Sequence, residues 1–209
     1  MLAVAGGKGG CGKTTTALGV AAALSGRSGM RPAVVADADR DMPDLHALSG
    51  VERTPTLAAA ARGSTRAAPG TRAERLPEPA PRVLPAPEGL GTDTAAALAR
   101  LSETVDVVDC PAGSGPDAAA PLRVADRVLL VARRTRESLG DALKTAVMAR
   151  QLDCRPVGVV LTRTGSVPEA VADRLGVPAA WPVPDGGDAP LSDPAVRAAY
   201  RRVARVASA

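Results

Sequence analysis

Gly7-Lys8-Gly9-Gly10-Cys11-Gly12-Lys13-Thr14-Thr15 follows the apolar run Leu2-Ala3-Val4-Ala5 and precedes an alanine-rich segment, Thr16 to Leu24. That order predicts strand, glycine loop, helix. The spacing Gly7-x-x-x-x-Gly12-Lys13-Thr14 is that of a phosphate-binding loop. Each residue type has a reason to be there. Glycines let backbone N–H groups turn inward and approach phosphate oxygens with no Cβ in the way. The helix expected from Lys13 adds its positive end. Lys13 places a point charge on the β- and γ-phosphates, and the Thr14 hydroxyl can ligate Mg²⁺.

Composition sharpens the reading. The chain has three lysines against 23 arginines, and two of the three are Lys8 and Lys13. A sequence that otherwise uses Arg kept Lys where a compact ammonium is wanted. Phe, Ile and Asn are absent, and Trp, Tyr and His occur once each. This reads as genomic GC bias, so the arginine count is not by itself a nucleic-acid signal. Hydrophobic residues make up 45% and charged residues 23%, as in a soluble globular protein, and the net charge of +4 is only mildly basic. Cys11, Cys110 and Cys154 form no Cys-x-x-Cys pair, so neither a disulfide framework nor a cysteine metal site is expected. A reduced, cytoplasmic setting fits. The first strand begins at the N-terminus, which leaves no room for a signal peptide, and no apolar run of about 18 residues predicts a membrane span.

The extra lysine, in Lys8-Gly9-Gly10-x-Gly12-Lys13-Thr14-Thr15, is the deviant Walker pattern. Here the sequence resembles the MinD/ParA family of P-loop ATPases. The resemblance implies ATP and Mg²⁺ as cofactors, with Gly7 to Thr15 around the triphosphate and Lys8 reaching across an ATP-dependent homodimer. It extends to Asp37-Ala38-Asp39, at the end of a short strand expected at Pro32 to Ala36. In the family, the first acid holds the metal's water shell and the second positions the attacking water. Asp37 and Asp39 take those places, although capping of the next helix is the alternative reading.

Val105-Asp106-Val107-Val108-Asp109 is the second strong element, an apolar strand ending in an acid, the Walker B pattern. Asp109 would hold the Mg²⁺ shell opposite Thr14. Cys110-Pro111-Ala112-Gly113 resembles MinD more than ParA. Further strands are expected at Arg82 to Leu84, Arg127 to Ala132, Pro156 to Leu161 and Trp181 to Val183. Helices are expected at about Thr94 to Ser102, Glu137 to Leu152, Val167 to Leu175 and Asp193 to Ala207. In the second of these, Leu139, Leu143, Val147, Met148 and Leu152 fall near one face and predict its core side. Residues 58–92, rich in Pro, Ala and Arg, read as an irregular connection.

The alternation predicts an α/β fold: one P-loop NTPase domain over 1–209, with a doubly wound, mostly parallel sheet flanked by helices. In relatives, the strand ending near Thr162 carries an Asn that reads adenine. Thr162 and Arg163 stand in its place, with Pro184 and Asp185 near the base. MinD proteins end in a separate membrane-binding segment. The final helix here carries Arg197, Arg201, Arg202 and Arg205 beside an apolar face that is expected to pack on the sheet, with peripheral membrane contact as the alternative.

The resemblance implies a MinD-like switch that positions other molecules through an unidentified activator or cargo protein. A ParA-like ATPase that binds DNA through Arg133, Arg134 and Arg136, or a non-hydrolysing nucleotide-gated module, are the competing classes. Cys11 and Cys110, beside positive groups, are expected to be reactive thiols protected by ATP.

Overall fold

The computed structural model describes residues 1–7, 9–27, 31–63, 69–87 and 93–207. Eight strands form one sheet: β1 Leu2–Ala5, β2 Val34–Asp37, β3 Thr71–Arg72, β4 Arg82–Leu84, β5 Val107–Asp109, β6 Arg127–Arg133, β7 Arg155–Thr162 and β8 Ala180–Val183. Their order is β3-β4-β2-β5-β1-β6-β7-β8, with every pair parallel except β3 against β4. The helices are α1 Lys13–Ser25, α2 Leu45–Ser49, α3 Leu57–Arg62, α4 Thr94–Arg100, α5 Pro116–Leu122, α6 Arg136–Gln151, α7 Ala170–Leu175 and α8 Pro194–Ala207. Three helix starts besides that of α8 carry the caps their sequences offer. Thr56 accepts from the amide of Ala59, Asp93 from Ala96 and Thr135 from Ser138.

Strand periodicity sorts side chains into two cores. Leu2, Val4, Val35, Leu129 and Val131 face α1, α2 and α8. Ala3, Ala5, Val34, Ala36, Val128 and Leu130 face α3 to α7. Both faces of the sheet are covered, which is why the strands read as continuous apolar runs. Each fully buried Leu or Val contributes about 1.5 to 3 kcal/mol over its exposed state. The helices meet the sheet largely through alanine: Ala17 and Ala21 on α1, and Ala142, Ala146 and Ala149 on α6, are all 0% exposed.

The large apolar residues of α6 divide between core and surface. Leu139 and Met148, with Leu152 just past the helix end, are partly buried and pack against the core, whereas Leu143 and Val147 are 42% and 46% exposed. Ala142, Thr145, Ala146 and Ala149 are buried. The expected face is therefore half right: alanine methyl groups fill the closest approach to the sheet, and Leu143 and Val147 point away.

The 58–92 connection is less irregular than expected. It contains all of α3 but its first residue, with the cap Thr56 just before it, and the edge pair β3–β4; residues 64–68 and 88–92 lie outside the described residues. α8 behaves as its pattern predicts. Asp193 accepts from the amides of Ala195 and Val196, Pro194 opens the helix, and Val196, Ala199, Tyr200 and Val203 are buried against α1 and the sheet. The arginines at 201, 202 and 205 face solvent. The Tyr200 ring occupies the place a side chain at Gly19 would need, and its hydroxyl lies 3.2 Å from the Thr16 hydroxyl. Among the described residues no helix is long and apolar enough to cross a membrane.

Candidate nucleotide-binding site

The chain leaves β1 at Ala5 and enters the glycine loop directly. Three features fix the loop. Gly12, at φ 94°, turns it into α1, a conformation costly for any residue with a Cβ. A Cβ on Gly7 would overlap the side chain of Asp141 on α6. The Thr162 hydroxyl at the end of β7 donates to the carbonyl of Cys11 at 2.8 Å and leaves its methyl group against Gly12. Gly9 and Gly10 have open space around them. Thr14 and Thr15 lie in the first turn of α1, behind Lys13, whose side chain is only 8% exposed. Lys8 lies outside the described residues.

Parallel register then does what the sequence predicted. Asp37 and Asp109 are Cα partners on adjacent strands, and Asp109 is also the partner of Val4 on β1. Both carboxyl groups emerge on the rim from which the glycine loop rises, at the carboxyl ends of the strands, where open parallel sheets bind ligands. Asp109 accepts a hydrogen bond from the Thr14 side chain. Its Oδ1 is buried with no partner. Asp37 is fully buried; its two oxygens accept from the amides of Asp39 (2.9 Å) and Leu45 (3.3 Å). Asp39 is half-buried, and its Oδ1 accepts from the amide of Met42 at 3.0 Å. The helix-cap reading of these acids is partly right, since Asp37 holds the amide at the start of α2 while also facing Asp109.

Burial sets the electrostatics. Desolvation pushes the Asp37 carboxyl up to about 8, and the nearby Asp109 adds to it. Desolvation also raises Asp109, to about 7, against the opposing Thr14 hydrogen bond and the Lys13 charge. Two carboxylates side by side in a dry site with one lysine form an electrostatic arrangement that a divalent cation would complete. The orphaned Oδ1 of Asp109 fits that cation's water shell, and the Thr14 hydroxyl fits a direct ligand.

The thiol expectation fails. All three cysteines are buried, and burial raises Cys11 and Cys110; Lys13 opposes this at both sites without overcoming it. The residues expected to border the base, Arg163, Pro184 and Asp185, lie at the ends of the adjacent strands β7 and β8, where the amide of Thr164 donates to the carbonyl of Val183 at 3.0 Å. Arg163 is exposed, in the left-handed region at φ 54°. Pro184 is half-buried, and exposed Asp185 accepts from the amide of Gly187. Two supports were not foreseen. Asp141 packs on Gly7 from 134 positions away, and the Gly113 amide donates to the Gly7 carbonyl at 2.6 Å. Nothing in residue spacing links either pair.

Residues 2–177 match the family described as the CobQ/CobB/MinD/ParA nucleotide binding domain. An uncharacterized ATP-binding protein of Methanocaldococcus jannaschii is 28% identical over 214 aligned positions, covering 95% of this chain and 76% of its own. The septum site-determining protein MinD of Pyrococcus horikoshii, solved with Mg-ADP, superposes at a TM-score of 0.77 and 22% identity, covering 97% of this chain and 93% of its own. The cell division ATPase MinD of Pyrococcus furiosus gives 0.73 at 25% identity, covering 99% and 97%.

Proposed function

Since the chain belongs to the CobQ/CobB/MinD/ParA nucleotide-binding family, we propose that it is a MinD-like ATPase switch that dimerises on ATP and separates on hydrolysis, and so positions other molecules. The observation that carries this reading is the Asp109 carboxyl: tied to Thr14, next to Asp37 in register, with one buried oxygen left unpartnered. A purely structural acid in this place would leave a desolvation cost that the Thr14 hydrogen bond and the Lys13 charge offset only in part.

In this reading the loop amides and Lys13 hold the triphosphate. Thr14, with Asp37 and Asp109 through water, would hold Mg²⁺, which supplies charge neutralisation at the β- and γ-phosphates when bound. The Mg-ADP carried by the Pyrococcus horikoshii relative supports that choice. Asp39, on the loop after β2 and next to this rim, orients the attacking water. Lys8 stabilises charge on the partner's nucleotide. Catalysis on such a template is positioning and electrostatics. Arg163, Pro184 and Asp185 border the nucleoside at the opposite end of the triphosphate from the paired acids.

Light scattering tests the cycle. Wild type and Asp39→Ala are sized with ADP and with ATP in Mg²⁺. A lasting dimer only in the mutant with ATP, together with a drop in hydrolysis on the order of 100-fold, is expected. Monomers under every condition would exclude the switch. The arginines at the end of β6 and the start of α6, Arg133, Arg134 and Arg136, support the ParA-like alternative, so ATP-dependent, salt-sensitive retention of plasmid DNA would move the reading to that class.

A further inference from the structure

The exposed part of the apolar stripe of α6 borders a groove of about 670 Å³ between α6 and α7. Leu139 and Leu143 form one wall, and Pro168, Val171 and Leu175 the other. Val147 continues the stripe one turn further, 46% exposed. Positions 139, 143 and 147 are spaced by four, so they make one continuous ridge on the helix. The far end is held shut by Arg150, which donates to the carbonyls of Leu175 and Gly176 at 2.8 and 2.7 Å. The two helices are therefore fixed relative to each other, and the groove is a built feature.

Its rim has one sign of charge. Arg134, Arg136 and Arg174 line it, and no Asp or Glu among the described residues does. Arg134 donates to the Ser166 hydroxyl at 3.3 Å. The Thr135 hydroxyl between the first two arginines is already used as the cap of α6.

We propose that the α6/α7 groove is the docking site for an acidic amphipathic helix of a partner protein. An exposed ridge on α6 beside an apolar trough whose far side is the edge of the core at Val171 and Leu175 fits the apolar face of a helix, whose anchors recur every three or four residues. Three arginines on the rim fit carboxylates on that helix's flanks and set its orientation. An apolar floor gives nothing to nucleic-acid phosphates, and a concave site is ill-suited to a lipid surface. Exposed Leu143 and Val147 would be covered by the same contact, which removes an apolar patch that a free protein in water would otherwise present. The site rests on the ATPase-switch reading for its purpose: it gives the activator or cargo of that switch a chemistry and a place.

The test uses two labelled helical peptides with the same Leu stripe at i, i+4 and i+7, one flanked by Glu and its twin by Lys. Fluorescence anisotropy is recorded with the full chain and Mg-ATP. The Glu peptide is expected to bind with a Kd on the order of 10 µM and the Lys twin about tenfold more weakly or worse. Leu143→Glu should lose binding about tenfold, and Arg174→Glu should narrow the preference between the twins. Equal binding of the twins, no binding of either, or full binding by Leu143→Glu overturns the proposal. So does loss of the ATP dimer in Leu143→Glu, which would make a second copy the occupant. Mg-ATP affinity is measured on every variant. A chain that binds Mg-ATP but neither peptide sinks this proposal alone, whereas a wild type that ignores Mg-ATP sinks the switch reading.

Discussion

Filling the site with a magnesium nucleotide should expel close to one proton at neutral pH. Free of cation, Asp37 titrates at about 8 and Asp109 at about 7 because both are desolvated. At a pH of about 7.5 the first is then about three-quarters protonated and the second about one-quarter, so together they hold about one proton. A divalent cation and its water shell require both groups ionised. Isothermal calorimetry with Mg-ATP in buffers of different ionisation enthalpy counts the protons released. About one is expected from wild type and clearly fewer from Asp37→Asn.

The same shifts fix the sign of the stability change. Each folded value lies above the unfolded carboxylate value near 3.9, so the folded state without ligand binds more protons than the unfolded chain. The stability these groups contribute is complete below about pH 4 and is lost as pH rises through about 7 to 8. The free protein should therefore melt at lower temperature at pH 8 than at pH 6, and the stabilisation by Mg-nucleotide should grow over the same interval. Zero proton release, or a melting temperature that climbs across that interval and is unaffected by Asp37→Asn, would refute the reasoning.

Three further outcomes follow from named contacts. Gly12→Ala forces a Cβ into φ 94° and against the Thr162 methyl group at 3.2 Å, so melting curves should show a loss of about 2 kcal/mol. Tyr200→Phe removes the hydroxyl facing Thr16, with an expected cost of about 1 kcal/mol and a melting temperature a few degrees lower; an unchanged midpoint would mean the 3.2 Å contact contributes nothing. A chromogenic thiol reagent at mildly alkaline pH should modify none of the three cysteines quickly in the native protein and all three after denaturation; fast native labelling of Cys11 would show that Lys13 outweighs burial there.

The glycine loop, Asp37, Asp109 and the parallel sheet were readable from residues because the loop spacing and the acid-ended apolar runs are distinctive patterns. Register places Asp109 beside Val4 on β1 and Asp37 on β2, which puts both acids at the rim from which the loop rises. Pattern alone could not assign α6. In a chain without Phe or Ile the methyl groups of Ala142, Ala146 and Ala149 carry the contact with the sheet, and periodicity rules weight them least. Cys11 was misjudged because a sequence shows the charge of Lys13 beside it but not the shell that excludes water. The edge pair β3–β4 was half legible. Arg82 to Leu84 is apolar enough to read, whereas Thr71–Arg72 is two residues whose strand character comes only from its neighbour.

The bond from the Gly113 amide to the Gly7 carbonyl has no side chain in it. Changes in neighbouring side chains therefore leave it standing; at 113 itself, with φ 98°, the turn calls for glycine, and proline would also delete the donor. The turn after the second acid is thus leashed to the first turn by main chain alone, and neither can be displaced without tugging the other. However freely the surrounding side chains drift between descendants of this sequence, that leash is inherited with the backbone.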